Sequence, residues 1–133
     1  MKIVNRETAA VINTPHKSEI RPLVDRTTSQ IENCSLAEEI LPPNAAVAPH
    51  YHRRTEEIYY ILQGNGEMRV GDETRAVRGG DAIFIPRLHV HSLKNTGDEP
   101  IKLLLVCGAA HDFADYFPAA NQSEVCASET RTQ

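Results

Sequence analysis

His50 and His52 stand two residues apart, Glu57 follows in the next stretch, and His91 returns in a second histidine-bearing segment. Residues two apart on a β-strand point to the same face, so His50 and His52 would present two imidazoles side by side to one interior. A nearby carboxylate and a third imidazole from another strand would complete a mixed nitrogen and oxygen site for a divalent transition metal. Glu56 and Glu57 compete for the carboxylate place, and strand alternation sends the two to opposite faces.

Such a site needs strands to carry it, and the chain is rich in strand signals. EEIYYILQ, from Glu56 to Gln63, is aromatic and β-branched, and Gly64, Asn65 and Gly66 read as a hairpin turn that closes it. GEMRV is then the return strand, Gly71 and Asp72 form a second turn, and ETRAV follows. Gly79 and Gly80 punctuate before DAIFIP, which Pro86 ends because proline cannot donate to a ladder. HVHSLKN and PIKLLLVCG complete the set. Residues 31–41 suit a helix by composition and a strand by alternation; a strand is favoured, stopped by Pro42, Pro43 and Asn44. About eight to ten short strands spaced by turn residues predict an all-β sandwich or barrel. The expected division is an N-terminal arm or edge strands over residues 1–28, a barrel over 29–117, and a flexible tail over 118–133. HDFADYF, from His111 to Phe117, reads as a short helical turn whose Phe113, Tyr116 and Phe117 cap one end of the barrel.

The two histidine stretches together resemble the two conserved motifs of the cupin superfamily. The first places His-x-His, then Glu after four intervening residues, then Gly after six more, matched by His50, His52, Glu57 and Gly64. The second is matched by Gly80, Pro86, His91 and Asn95. Leu88 stands where the family usually has the glycine of a tight turn, a departure that touches the local backbone path and removes no ligand. The resemblance covers roughly residues 30–110. It implies a cupin-like jelly-roll barrel in one domain, with a short helical or irregular C-terminal tail. It also implies one divalent transition metal ion, iron or manganese favoured and zinc, nickel or copper open, held by His50, His52, Glu57 and His91. Three neutral imidazoles and one carboxylate would leave two open positions on an octahedral ion, where water, dioxygen or a bidentate substrate could bind.

Tyr59 shares the parity of Glu57 and is either a core aromatic with a wet tip or a catalytic proton donor. His89 shares parity with His91 if that strand is regular, as a pocket residue, and otherwise sits on the rim. Arg69 is a candidate partner for a substrate carboxylate or an outward salt bridge, and His16 and His111 are read as solvated. Cys34 and Cys107 read as small core residues, and three well-separated cysteines suit reduced thiols.

Composition bounds the function classes. The 133 residues suit one domain, with 41% hydrophobic and 24% charged residues. A net charge of -4 with scattered cations argues against a nucleic-acid partner. No apolar run approaches a membrane span and the polar N-terminus does not read as a signal peptide, so the expected location is cytoplasmic. The expected partner is a small-molecule substrate, and a homodimer is expected from the edge strand that the N-terminal residues could add. The favoured function is a metal-dependent enzyme of dioxygenase type acting on an oxygen-rich or enolisable substrate. A metal-dependent lyase or isomerase, and a non-catalytic small-molecule-binding domain, are the alternatives.

Overall fold

The computed structural model describes residues 1–129. In chain order its strands are β1 (Ile12–Asn13), β2 (Glu19–Val24), β3 (Ser35–Leu41), β4 (His50–Tyr51), β5 (Glu56–Gln63), β6 (Asn65–Val70), β7 (Glu73–Arg78), β8 (Ala82–Ile85), β9 (His91–Asn95), β10 (Ile101–Gly108) and β11 (Phe117–Pro118). They build two antiparallel sheets, ordered β1-β2-β3-β10-β5-β8 and β11-β4-β9-β6-β7. The molecule is the all-β, jelly-roll barrel expected, and residues 31–41 resolve as strand from Ser35 onward. No described helix is long and apolar enough to cross a membrane.

Alternation explains which side chains enter the barrel. Along β5, Glu57, Tyr59 and Ile61 are buried while Glu56, Ile58, Tyr60 and Leu62 are exposed, so Glu57 is the inward carboxylate of the adjacent pair. Their partners across the sheet continue the inner face: Cys107, Leu105 and Leu103 of β10 pair with Glu57, Tyr59 and Ile61, and with Ser35, Ala37 and Glu39 of β3. Leu41, Ile61, Met68, Ile85, Leu93, Ile101 and Leu103 close the core at one end, each contributing about 1.5–3 kcal/mol by burial. The other end is left to polar groups.

One local expectation is corrected. Gly64, Asn65 and Gly66 do not close a hairpin, because β5 and β6 lie in different sheets and the chain crosses between them there. A Cβ on Gly64 would lie 2.8 Å from the Ile101 Cα, and one on Gly66 would lie 2.7 Å from the Lys94 carbonyl oxygen. These glycines therefore let two backbones touch at a barrel corner. Leu88 adopts φ 63°, the left-handed turn that a glycine would take without cost; its side chain packs on a second apolar cluster of Tyr51, Val90, Ala119 and Val125. The tail after residue 118 carries the short helix allowed for it: α1 (Gln122–Glu129) seats Val125 in that cluster, and Gln122 accepts from the Val90 N–H and donates to the Leu88 carbonyl. Residues 130–133 of the expected tail lie outside the described residues.

Candidate metal centre

Pairing brings the four residues together from three strands and one strand end. His50 of β4 faces His91 of β9 in register, His52 follows β4 directly, and Glu57 comes from β5 in the opposite sheet. One ligand atom from each of His50, His52, Glu57 and His91 lies within 4.8 Å of every other, and all four residues are buried.

The outer nitrogens settle which inner atoms are free. Nδ1 of His50 donates to the Ala48 carbonyl at 2.8 Å, Nδ1 of His52 to the Asp115 carbonyl at 2.5 Å, and Nδ1 of His91 to the His89 carbonyl at 3.0 Å. A carbonyl can only accept, so each Nδ1 carries the proton in the neutral ring and each Nε2 presents a lone pair inward. His52 Nε2, His91 Nε2 and Glu57 Oε2 are buried without a hydrogen-bond partner, although Glu57 Oε2 lies 2.9 Å from His91 Nε2 and 3.3 Å from His52 Nε2. Buried polar atoms left so are costly. A cation among them would satisfy all three, and the donor set fits a divalent transition metal.

Charge follows from this setting. Burial, with His91 next to it, pushes His50 down to about 3, so its ring is neutral. Burial also opposes charge on His52, but the Glu57 carboxylate beside it outweighs burial and the His52 pKa is raised. Burial would raise Glu57; the close approach of His52 and His91 wins and holds it well below the carboxylate range. The Cys107 thiol, pushed up by burial and then by Glu57, stays protonated and donates to Glu57 Oε1 at 3.3 Å.

Asp115, in the short 3-10 turn Phe113–Asp115, anchors the segment between ligands. Besides its carbonyl on His52, its carboxylate accepts from the backbone N–H groups of Arg53, Arg54 and Thr55. Burial would raise its pKa, and those three N–H bonds outweigh burial and lower it.

His50, His52 and Glu57 open on a cavity of about 380 Å³, with His91 fully buried behind them. Tyr59 lines it with its ring edge-on to His91 at 5.9 Å, and burial raises the phenol well above its ordinary range. Tyr116 stacks on His50 at 4.4 Å and shares the cavity wall with Phe113. Phe117, expected at the same cap, turns instead to Tyr51. His89 is not brought in. The left-handed Leu88 breaks the strand before His91, so parity does not carry back to His89, which is exposed and lines a separate outer groove beside Gly71. Arg69 is spent on the carbonyls of Gly71 and Ala120. His16 and His111, read as solvated, both line the cavity; neither lies in a motif, so only tertiary placement could reveal them.

A family model described as Cupin domain matches residues 37–107. An uncharacterized protein of Methanocaldococcus jannaschii is 38% identical over 106 residues, covering 78% of this chain and 85% of that one. A crystal structure of a predicted oxalate decarboxylase from Thermotoga maritima superposes with a TM-score of 0.74 at 25% identity, covering 80% of this chain and 98% of that one. The polyketide cyclase RemF from Streptomyces resistomycificus gives a TM-score of 0.74 at 25% identity over 93% of this chain and 91% of its own.

Proposed function

The chain belongs to the cupin domain family, and from that premise we propose that it is a metal-dependent enzyme acting by Lewis-acid chemistry on a small, oxygen-rich, enolisable substrate. The observation that carries this reading is the convergence of buried, partnerless His52 Nε2, His91 Nε2 and Glu57 Oε2 beside His50 at the wall of a ligand-sized cavity. His50, His52, Glu57 and His91 would hold the ion, with iron or manganese suiting the donor set and zinc, nickel or copper also compatible. Bound there, a divalent ion supplies a positive centre that favours the ionised form of an enol, a carboxylate or a hydroxy-ketone.

The chain's own groups do the remaining work. Tyr59, kept protonated by burial, would donate a hydrogen bond from Oη to the enolate oxygen. Cys107 orients Glu57 from behind. Phe113 and Tyr116 narrow the mouth and keep water from a reactive carbanion. His89, on the outer groove, has no part in this scheme.

One structural relative is described as a polyketide cyclase, which supports the non-oxidative reading over the dioxygenase that the sequence favoured. Elemental analysis of untagged protein is expected to find near-stoichiometric metal, lost in His52→Ala and His91→Ala. Deuterium exchange from solvent into a cyclic diketone should be catalysed by the loaded protein equally in air and under nitrogen. Metal-free protein of full activity would sink the proposal, and a rate that vanishes under nitrogen would restore the oxidative reading.

A further inference from the structure

The cavity has a second polar end. Ser18 Oγ donates to Glu39 Oε1 at 2.5 Å and lies 3.0 Å from His16 Nε2 and 2.8 Å from Thr14 Oγ1. His16 Nε2 is 3.5 Å from the same Glu39 oxygen. Ser18 is 1% and Glu39 2% exposed, and Glu39 and His16 both line the cavity on which His50, His52 and Glu57 open. Between the two ends the wall is apolar, formed by Ile20, Pro22, Ala37, Val47 and Leu105.

Register places the ends apart. Glu57 pairs with Cys107 and Glu39 with Leu103, four residues further along β10 and on its other flank. On sheet spacings of about 3.3 Å per residue and about 4.8 Å per strand, the two backbone positions stand on the order of 16 Å apart. Both side chains reach inward, which leaves room for a two-ring molecule. A two-carbon diacid held at the quartet would leave the far end untouched.

Charge decides what the far end accepts. No lysine or arginine is among the described residues lining the cavity, and Asp25, the acid that lines it besides Glu39 and Glu57, is committed to the N–H groups of Thr27 and Thr28. An anionic group would meet the buried Glu39 carboxylate with no compensating cation, whereas a hydroxyl could donate to Glu39 beside the His16 ring.

We propose that His16 and Glu39 form a distal specificity site, so that the substrate is an extended, ring-sized molecule with chelating oxygens at one end and a neutral hydroxyl at the other. This rests on the metal-centre reading and deepens it. The test is calorimetric titration of the full chain, loaded with zinc, using three probes: naphthalene-2,3-diol, its 6-hydroxy derivative and its 6-carboxylate. The triol should bind at least about tenfold tighter than the diol, and the carboxylate at least about tenfold weaker. Glu39→Gln, which still accepts from Ser18, should lift the carboxylate at least about tenfold and weaken the triol, leaving the diol within about twofold. His16→Gln should weaken the triol alone.

Three probes that bind alike, or a ranking that neither variant changes, would show that the cluster only ties the arm to the barrel and would overturn the proposal. Stoichiometric zinc with no probe bound would overturn it too, while leaving the metal centre intact. Zinc that fails to bind, or binds His52→Ala equally well, would remove both readings together.

Discussion

Proton competition for the ion should involve the His52 ring. His50 is neutral down to about 3 and Glu57 is ionised well below the carboxylate range, so neither consumes or releases a proton on loading near neutrality. His52 has its pKa raised by Glu57 in the metal-free site and must lose its proton before Nε2 can bind. As pH falls through that raised value, affinity is lost, beginning above the ordinary histidine value of about 6.5. Chelator competition from about pH 5.5 to 8.5 should show affinity falling as pH falls, with a slope of at least about one proton per ion; affinity flat across that range would contradict the assignment. The thiol behind Glu57 makes a companion prediction. Cys107→Ala should weaken metal binding about tenfold and Cys107→Ser should largely retain it, because the serine hydroxyl can still donate to Oε1. The quartet was legible because strand alternation and the two motifs name it, whereas the role of Cys107 was not: its thiol meets Glu57 only across the pairing of β10 with β5.

At the scale of elements, the segment Arg53–Thr55 that joins His52 to Glu57 depends on a turn 60 residues later in the chain. Asp115→Ala would strand three backbone N–H groups and cost about 3 kcal/mol in urea unfolding of the metal-free protein, while the backbone carbonyl that accepts from His52 Nδ1 is kept. The Asp115 pKa is depressed in the fold. Its contribution is therefore complete above the unfolded value of about 3.9 and fades as pH falls through the lower folded value; an unfolding free energy flat across that acid range would contradict the assignment. The corner at Gly64, with φ 96° and Ile101 backbone against the place of a Cβ, predicts that Gly64→Ala costs about 2–4 kcal/mol, to be read in the same titrations. Here sequence reasoning found the strands and misjudged one connection. Gly-Asn-Gly signals a reversal, but whether the next strand pairs with its predecessor or crosses to the other sheet depends on contacts with Ile101 and Lys94 that local chemistry does not encode.

Assembly is where the whole molecule has a surface to account for. Ile58, Tyr60, Leu62 and Phe84 are exposed on the outward face of the larger sheet, where Ile58 pairs with Phe84, beside the half-buried Leu104 and Val106. The run IYYIL is apolar at both parities, the pattern of a strand covered on both faces rather than one. The homodimer expected from an unpaired N-terminal edge strand therefore gains a different physical motive: β1 and β2 complete their own sheet, and the apolar face behind β5 and β8 is what a second copy would cover. Light scattering after size exclusion should find a dimer at micromolar concentration. Ile58→Lys with Phe84→Lys should weaken it about tenfold or more while zinc binding by the quartet persists, because those side chains point away from the cavity. A wild-type monomer at high concentration would leave this face without an explanation in self-association, and a dimer unmoved by both lysines would place the interface elsewhere on the barrel.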